Sequence, residues 1–287
     1  MIKENDPIVR RCFASYVLVC VYLIASLHVA PAFGQEPESK PSKSDDWTFT
    51  LGAGVAYSSD YEGSNDYDIK PLPLVEVSWR DVVKIGSLSG PPSVSFKFLE
   101  VQGPKPKDRL KFTASLGYLG GRDQDDNDAL LGLGDIDGGA TAKLAVDYQA
   151  QDFGMALSIG HDLASDREGT TLNTSVRYGF DLGSARTRLT LGASSTWADG
   201  NYMENIFGIT STQAGRSNLG YRVYEAEAGI KDVGASLSLR HFLTRNVGIT
   251  TRLGYTQLLG DAADSPIVSG QGDAGQFSGL FAISYRW

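Results

Sequence analysis

The sequence predicts an all-β fold, a transmembrane antiparallel outer-membrane β-barrel of about twelve strands. Three observations carry this. Runs of nine to twelve residues alternate apolar and small or polar side chains. The connectors between them alternate short and long. The chain ends, at 276–287, on one more such run, QFSGLFAISYRW.

The runs come first. WTFTLGAGVAY sets Trp47, Phe49, Leu51, Ala53, Val55 and Tyr57 on one face, with Thr48, Thr50, Gly52, Gly54 and Ala56 on the other. RLKFTASLGYL, GATAKLAVDYQ, DFGMALSIG, TTLNTSVRYGF, VGASLSLRH and VGITTRLGYTQ repeat the style. Period two is the strand period. Globular strands usually hold about 5–6 residues, whereas a tilted membrane strand needs about 9–11. Many apolar faces begin or end with Trp, Tyr or Phe. That favours an apolar face in lipid with aromatics near the interfaces, rather than two sheets meeting in a core.

Candidate strands fall at 47–57, 68–80, 82–88, 93–100, 109–119, 139–149, 152–161, 169–180, 185–197, 222–242, 246–258 and 276–287. The patterns at 82–88 and 93–100 are the weakest, and ten strands result without them. The run at 222–242 is long enough to overhang the membrane or to bend at Lys231-Asp232. Pro71 and Pro73 remove ladder donors on one side of their strand and predict a bulge or distorted pairing near the rim. The connectors Ala150-Gln151, Asp181–Ser184 and Leu243–Asn246 are short; those at 58–67, 120–138, 198–221 and 259–275 are long. With the first strand starting at the periplasm, the short ones all fall on that side, the usual barrel asymmetry. Lipid offers no hydrogen-bond partners, so the last strand must pair with the first. Phe277, Gly279, Phe281, Ile283, Tyr285 and Trp287 then face lipid. Gln276, Ser278, Leu280, Ala282, Ser284 and Arg286 face inward, Leu280 being the exception in polarity.

Upstream of the barrel lie two other segments. Residues 1–34 run from Lys3, Arg10 and Arg11 through the apolar CFASYVLVCVYLIASLHVA to the small-residue exit PAFG. That is the order of a signal peptide, with cleavage after Ala32 or Gly34; an uncleaved anchor is the rival. Residues 35–46 read as a disordered periplasmic lead. Cys12 and Cys20 both lie in the first segment, so residues 47–287, the expected barrel, carry no thiol chemistry. Loss of the segment takes the net charge from −8 to −9, a balance that disfavours nucleic-acid binding.

Chemistry is sparse. Past residue 34 the histidines are His161 and His241, at strand ends and far apart, too few for a His-based metal site. The acidic loop 120–138 begins like a calcium loop with Asp123, Asp125 and Asn127. Asp128 stands where the invariant Gly belongs and Gly134 where the bidentate Glu belongs, so an EF-hand is excluded; a looser cation site or a solvated outer loop remain. No G-x-S-x-G turn or phosphate loop exists. Lys111, Lys143, Asp147, Arg177, Arg186, Arg188, Arg252 and Arg286 are expected inside, where they line a narrow channel or pair with acids and plug it. Tyr202–Phe207 reads as a short rim helix, and Asp261, Asp264, Ser265 and Pro266 as a structured loop folding inward. No catalytic, cofactor-binding or metal-ligating residue is nominated.

The chain resembles the MipA/OmpV family of outer-membrane proteins, the MltA-interacting proteins. The resemblance is carried by GAGVAYSSDYEGSNDYDIKPLPLVEVSWRD at 52–81 and by GRDQDDNDALLGLGDID at 121–137. NYMENIFGIT, AEAGIKDVG, LLGDAADSPIV and QFSGLFAISYRW carry it through the C-terminal part. Members commonly end in Phe; this chain ends in Trp287 and keeps the aromatic class. The resemblance implies a barrel in the outer membrane of a Gram-negative bacterium, folded by the barrel-assembly machinery. It implies no catalytic residues and no cofactor. For some members it implies a scaffold between a lytic transglycosylase and a bifunctional penicillin-binding murein synthase. A narrow channel for small solutes and an enzyme at the rim near His161 or His241 are the alternatives.

Overall fold

The computed structural model describes residues 46–88, 91–105, 107–163, 168–184 and 186–287. The expected signal peptide and the lead up to residue 45 lie outside the described residues. Asp46, the last residue of that lead, accepts a 2.8 Å hydrogen bond from the Arg80 guanidinium.

Twelve strands form a closed barrel in which each pairs with its chain neighbours and β1 with β12. They are β1 Trp47–Ser59, β2 Tyr67–Trp79, β3 Val83–Gly86, β4 Ser93–Gln102, β5 Arg109–Leu119 and β6 Gly139–Ala150. The circuit continues through β7 Phe153–Asp162, β8 Gly169–Asp181, β9 Thr187–Ala198, β10 Gly229–Phe242, β11 Val247–Leu258 and β12 Gly275–Arg286. Every pair is antiparallel.

Closure rests on β12. Its register against β1 runs from Thr50↔Arg286 to Tyr57↔Gly279, and the Trp287 amide donates to the Phe49 carbonyl at 2.9 Å. Phe277, Phe281, Ile283, Tyr285 and Trp287 are exposed on the outer face, while Gln276 and Ala282 are buried within. Aromatic pairs mark both ends of the wall. Trp47–Trp79, Tyr178–Phe180 and Tyr285–Trp287 stand at the periplasmic end; Tyr57–Tyr67 and Tyr255–Phe277 stand at the outer end. These are the two interfacial girdles of a membrane barrel.

Two bulges break the alternation, and each brings charges inside. In β10 the register shifts between Ile230 and Asp232. The extra residue turns Lys231 and Asp232 both inward, each 6% exposed, between outward Ile230 and Val233. In β4 the shift lies between Lys97 and Leu99. Phe98 and Leu99 both face out. Lys97 and Glu100, three apart, thereby share the inner face and pair at 2.5 Å.

Three expectations need correction. β3 spans four residues rather than 82–88, because the hairpin turns back by Ser93. β10 begins at Gly229, not at 222. Residues 222–228 do alternate, but Tyr224 bridges Ile209 and belongs to a loop assembly. The β1–β2 ladder past Pro71 and Pro73 has no register shift; the prolines instead occupy an edge beyond the end of β3, where no strand needs their donors.

Removing Tyr285–Trp287 deletes the final pairs to both β1 and β11 and their interfacial rings. The truncated chain is expected to fail assembly, read as loss of heat-modifiable electrophoretic mobility in membrane fractions. A folded, membrane-inserted truncation would refute the closing role of β12.

Candidate functional site

The outer mouth is filled by a folded lid built from four loops: 60–66, 120–138, 199–228 and 259–274. The third loop carries helices α1 Gly200–Phe207 and α2 Ser211–Arg216; the fourth carries α3 Gly260–Asp264 and α4 Pro266–Ser269. Local capping explains where they start. The Asp199 side chain accepts from the Tyr202 amide, and Thr210 with Gln213 forms a reciprocal capping box. Pro266 sits at the start of α4, where its missing amide costs nothing.

Two apolar cores hold the lid together. The first joins Met203, Ile206 and Phe207 of α1 to Leu258, Ala262 and Val268. The second joins Tyr61, Leu130, Leu133, Ile209, Tyr221 and Ile267. The acidic loop is therefore anchored by its apolar residues. Its acids make local turns: Asp123 accepts from the Asp125 amide and Asp135 from the Gln124 amide. Among the described residues there is no cluster of three or more His, Cys, Asp or Glu able to hold a metal.

Polar bonds cross the mouth. Tyr221 donates to the Ala129 carbonyl at 2.8 Å, Tyr224 to Asp261 at 2.9 Å, and Ser265 to Phe207 at 2.6 Å. Burial pushes the Tyr221 and Tyr224 phenols up to about 12 and Tyr61 higher still, so all three stay protonated donors. Burial also raises the Asp60 carboxyl, against the hydrogen bond from Asn127 and with help from Asp68 and Asp66. Gly63 sits at φ +101, and a Cβ there would meet the Val268 side chain, so this turn needs glycine.

Lys231 is the clasp. Its ammonium bonds Glu62 of the first loop and Asp232 beside it, the latter at 2.8 Å, and lies 5.6 Å from the Tyr202 ring centre. Tyr202 in turn donates to Glu62 at 3.1 Å. Strand, first loop and α1 thus meet at one buried charge.

Below the lid the lumen divides by charge. On the β3–β9 side Lys111, Arg177 and Arg188 of the expected inward cations are paired, as is Lys97. Lys97 and Lys111 reach Asp81, Arg177 reaches Asp147, and Arg188 reaches both Asp152 and Asp181. Burial works to raise the Asp81 carboxyl, but Lys84, Lys97 and Lys111 hold it well below the usual range. From β10 through β12 and β1 to β3 lies a cavity of about 780 Å³ that reaches the periplasmic turns at Asp81 and Asn246 and is lined by Arg240, Arg252 and Arg286 among others. Among the described residues no carboxylate forms an ion pair with these three. His161 and His241 sit toward opposite ends of the barrel. Each bonds a cross-strand threonine, Thr170 at 3.1 Å and Thr187 at 2.8 Å.

Comparison with known proteins adds the decisive observation. The family model described as MltA-interacting protein MipA matches residues 51–287. The chain belongs to the MipA family. It is therefore a non-enzymatic barrel protein of the Gram-negative outer membrane. No curated protein matches significantly. Among solved structures, a loop-deleted OmpT of Vibrio cholerae is 9% identical, with 84% of this chain and 98% of that chain covered and a TM-score of 0.36. OprD of Pseudomonas aeruginosa is 13% identical over 86% and 66%, with a TM-score of 0.37. The KdgM porin is 11% identical over 82% and 98%, with a TM-score of 0.37. At those scores the likenesses support nothing about function.

Sequence reasoning found the rim helix and the inward-folding 261–266 loop but missed the lid as a unit. The available signal was apolar spacing inside loops, at Leu130, Leu133 and Ile136, and a lysine amid AGIKDVG. Replacing Lys231 with Met leaves Glu62 and Asp232 uncompensated. Breaking such a pair costs about 3 kcal/mol, or roughly a hundredfold in lid opening. Hydrogen–deuterium exchange over 61–64 and 200–207 is expected to accelerate accordingly while the strands stay protected. Unchanged exchange there would remove Lys231 from the role of clasp.

Proposed function

We propose that the protein is a scaffold of the outer membrane that engages murein-remodelling enzymes from its periplasmic face. The observation that carries this is the match of residues 51–287 to a family described by its interaction with MltA, a lytic transglycosylase. The family resemblance extends the reading to a bifunctional penicillin-binding murein synthase as second partner. The architecture is compatible with it. The lid occupies the outer mouth, so the surfaces left for periplasmic partners are the turns 80–82, 103–108, 151–152, 182–186 and 243–246 and the mouth of the cavity beside them.

Several of these turns are rigidly made. Arg80 and Asp81 both take positive φ, and the Val82 amide closes onto Trp79 at 2.8 Å, the tight hairpin form that matches strand twist. Arg188 ties the β6–β7 turn to the end of β8 through Asp152 and Asp181. A preset surface of this kind loses little freedom on binding a partner.

Mild crosslinking of intact cells, followed by solubilisation and recovery of the protein, is expected to bring down a lytic transglycosylase. The yield should fall when the turn residues at 243–246 are replaced by Gly-Ser sequence. Recovery of no murein enzyme under gentle crosslinking would sink the scaffold reading.

A further inference from the structure

The barrel wall is incomplete between β2 and β5. β3 ends at Gly86, opposite Glu76. The hairpin returns at Ser93, opposite Gly117. β2 continues outward for nine more residues, to Tyr67, with β1 on one side and, among the described residues, no strand on the other. That is about 30 Å of strand at ~3.3 Å per residue. The stagger of a tilted barrel accounts for only about one residue per strand.

This edge is finished rather than frayed. The Val75 carbonyl accepts from the Ser87 amide at 2.9 Å and the Pro73 carbonyl from the Ser87 hydroxyl at 3.3 Å. Those bonds show that odd-numbered residues of β2 turn their backbone groups toward the gap. Pro71 and Pro73 are two of them, and they have no N–H. Two of the donors that lipid would leave unsatisfied are therefore missing by composition. Prolines also block the addition of another strand.

Behind the edge lies the cavity of about 780 Å³, within the size range of small-ligand sites. Its wall near the gap is apolar, formed by Leu72, Leu74, Leu88 and Leu280. Leucines facing the inside of a membrane barrel go against the usual polar lumen. Farther along, the lining turns cationic with Arg240, Arg252 and Arg286, while Glu76 and the lysine-bound Asp81 are the acids on the opposite side. Guanidinium groups free of carboxylates are ready for bidentate contact with an anionic head.

We propose that this cavity binds a single-chain anionic amphiphile of the fatty-acid class, which enters from the bilayer along the edge of β2 beyond Glu76. The chain lies on the leucines of β2 and β12, and the carboxylate meets Arg240 and Arg252. The lid blocks the outer mouth, so lipid and periplasm are the two sides from which the site is reached. The inference stands apart from the scaffold reading, since it uses neither partner nor family.

Native mass spectrometry of the purified protein, released from a neutral detergent at pH 8, tests it with dodecanoate, dodecanol and acetate. Dodecanoate is expected to bind one-to-one, with dodecanol and acetate at least tenfold weaker. The double variant Arg240→Gln/Arg252→Gln should lose at least tenfold in dodecanoate affinity, and Arg240→Lys/Arg252→Lys should keep most of it. Leu72→Trp, which fills the apolar end, should also lose at least tenfold. Heat-modifiable mobility confirms that each variant is a folded barrel. Equal binding of acetate or dodecanol, or full affinity in the Gln variant, would overturn the proposal; so would full affinity in Leu72→Trp.

Discussion

Everything in this protein answers to one constraint: a backbone donor in lipid has no partner but another backbone. The circuit of twelve strands, closed by β12 on β1, is the direct answer. The apolar outer face follows, because each strand has only two faces and one meets lipid. The constraint also explains the two places where the pattern bends. Bulges at Lys231 and Phe98 keep the ladders on either side while moving charges inward. Prolines at 71 and 73 occupy the edge that β3 leaves without a strand partner, where an N–H would be a liability.

A membrane barrel spends its apolar residues on the outside, so it has no ordinary core. Here the outer loops supply one. Phe207, Leu130, Met203 and Ile209 are all essentially inaccessible, and they come from loops rather than from strand interiors. The lid behaves as a small globular unit set in the mouth and tied to the wall through Lys231 and Leu258. Within it, Arg122 donates to the Ile206 carbonyl at 3.1 Å, joining the acidic loop to α1. The result is polarity along the barrel axis, with an apolar, packed outer end and a charged inner cavity.

How much of this was legible in the sequence depends on whether the feature has a period. The strands did, and β5 at Arg109–Leu119 was read to the residue. The loops did not. DALLGLGDI carries no alternation, so Leu130, Leu133 and Ile136 were passed over in favour of the more conspicuous acids. Residues 222–228 misled in the opposite way. Their alternation, Tyr224 and Ala226 against Glu225 and Glu227, is real and buries Ala226, but alternation reports extended chain, not its partner. The inward leucine at 280 was visible as an exception and gained meaning only beside Leu72 and Leu74. The arginines at 252 and 286 were placed inside by parity alone. That neither meets an acid, while Arg177 and Arg188 do, depends on which strands become neighbours around the circuit.

The scaffold reading depends on the separation between an outer mouth occupied by packed loops and the charged cavity beneath them. A scaffold needs no aqueous path across the membrane. Electrical recording of the purified full-length barrel in planar lipid bilayers tests this most directly. The account predicts stable insertion with no unitary conductance steps. Regular, long-lived open-channel steps from the unmodified protein would contradict it.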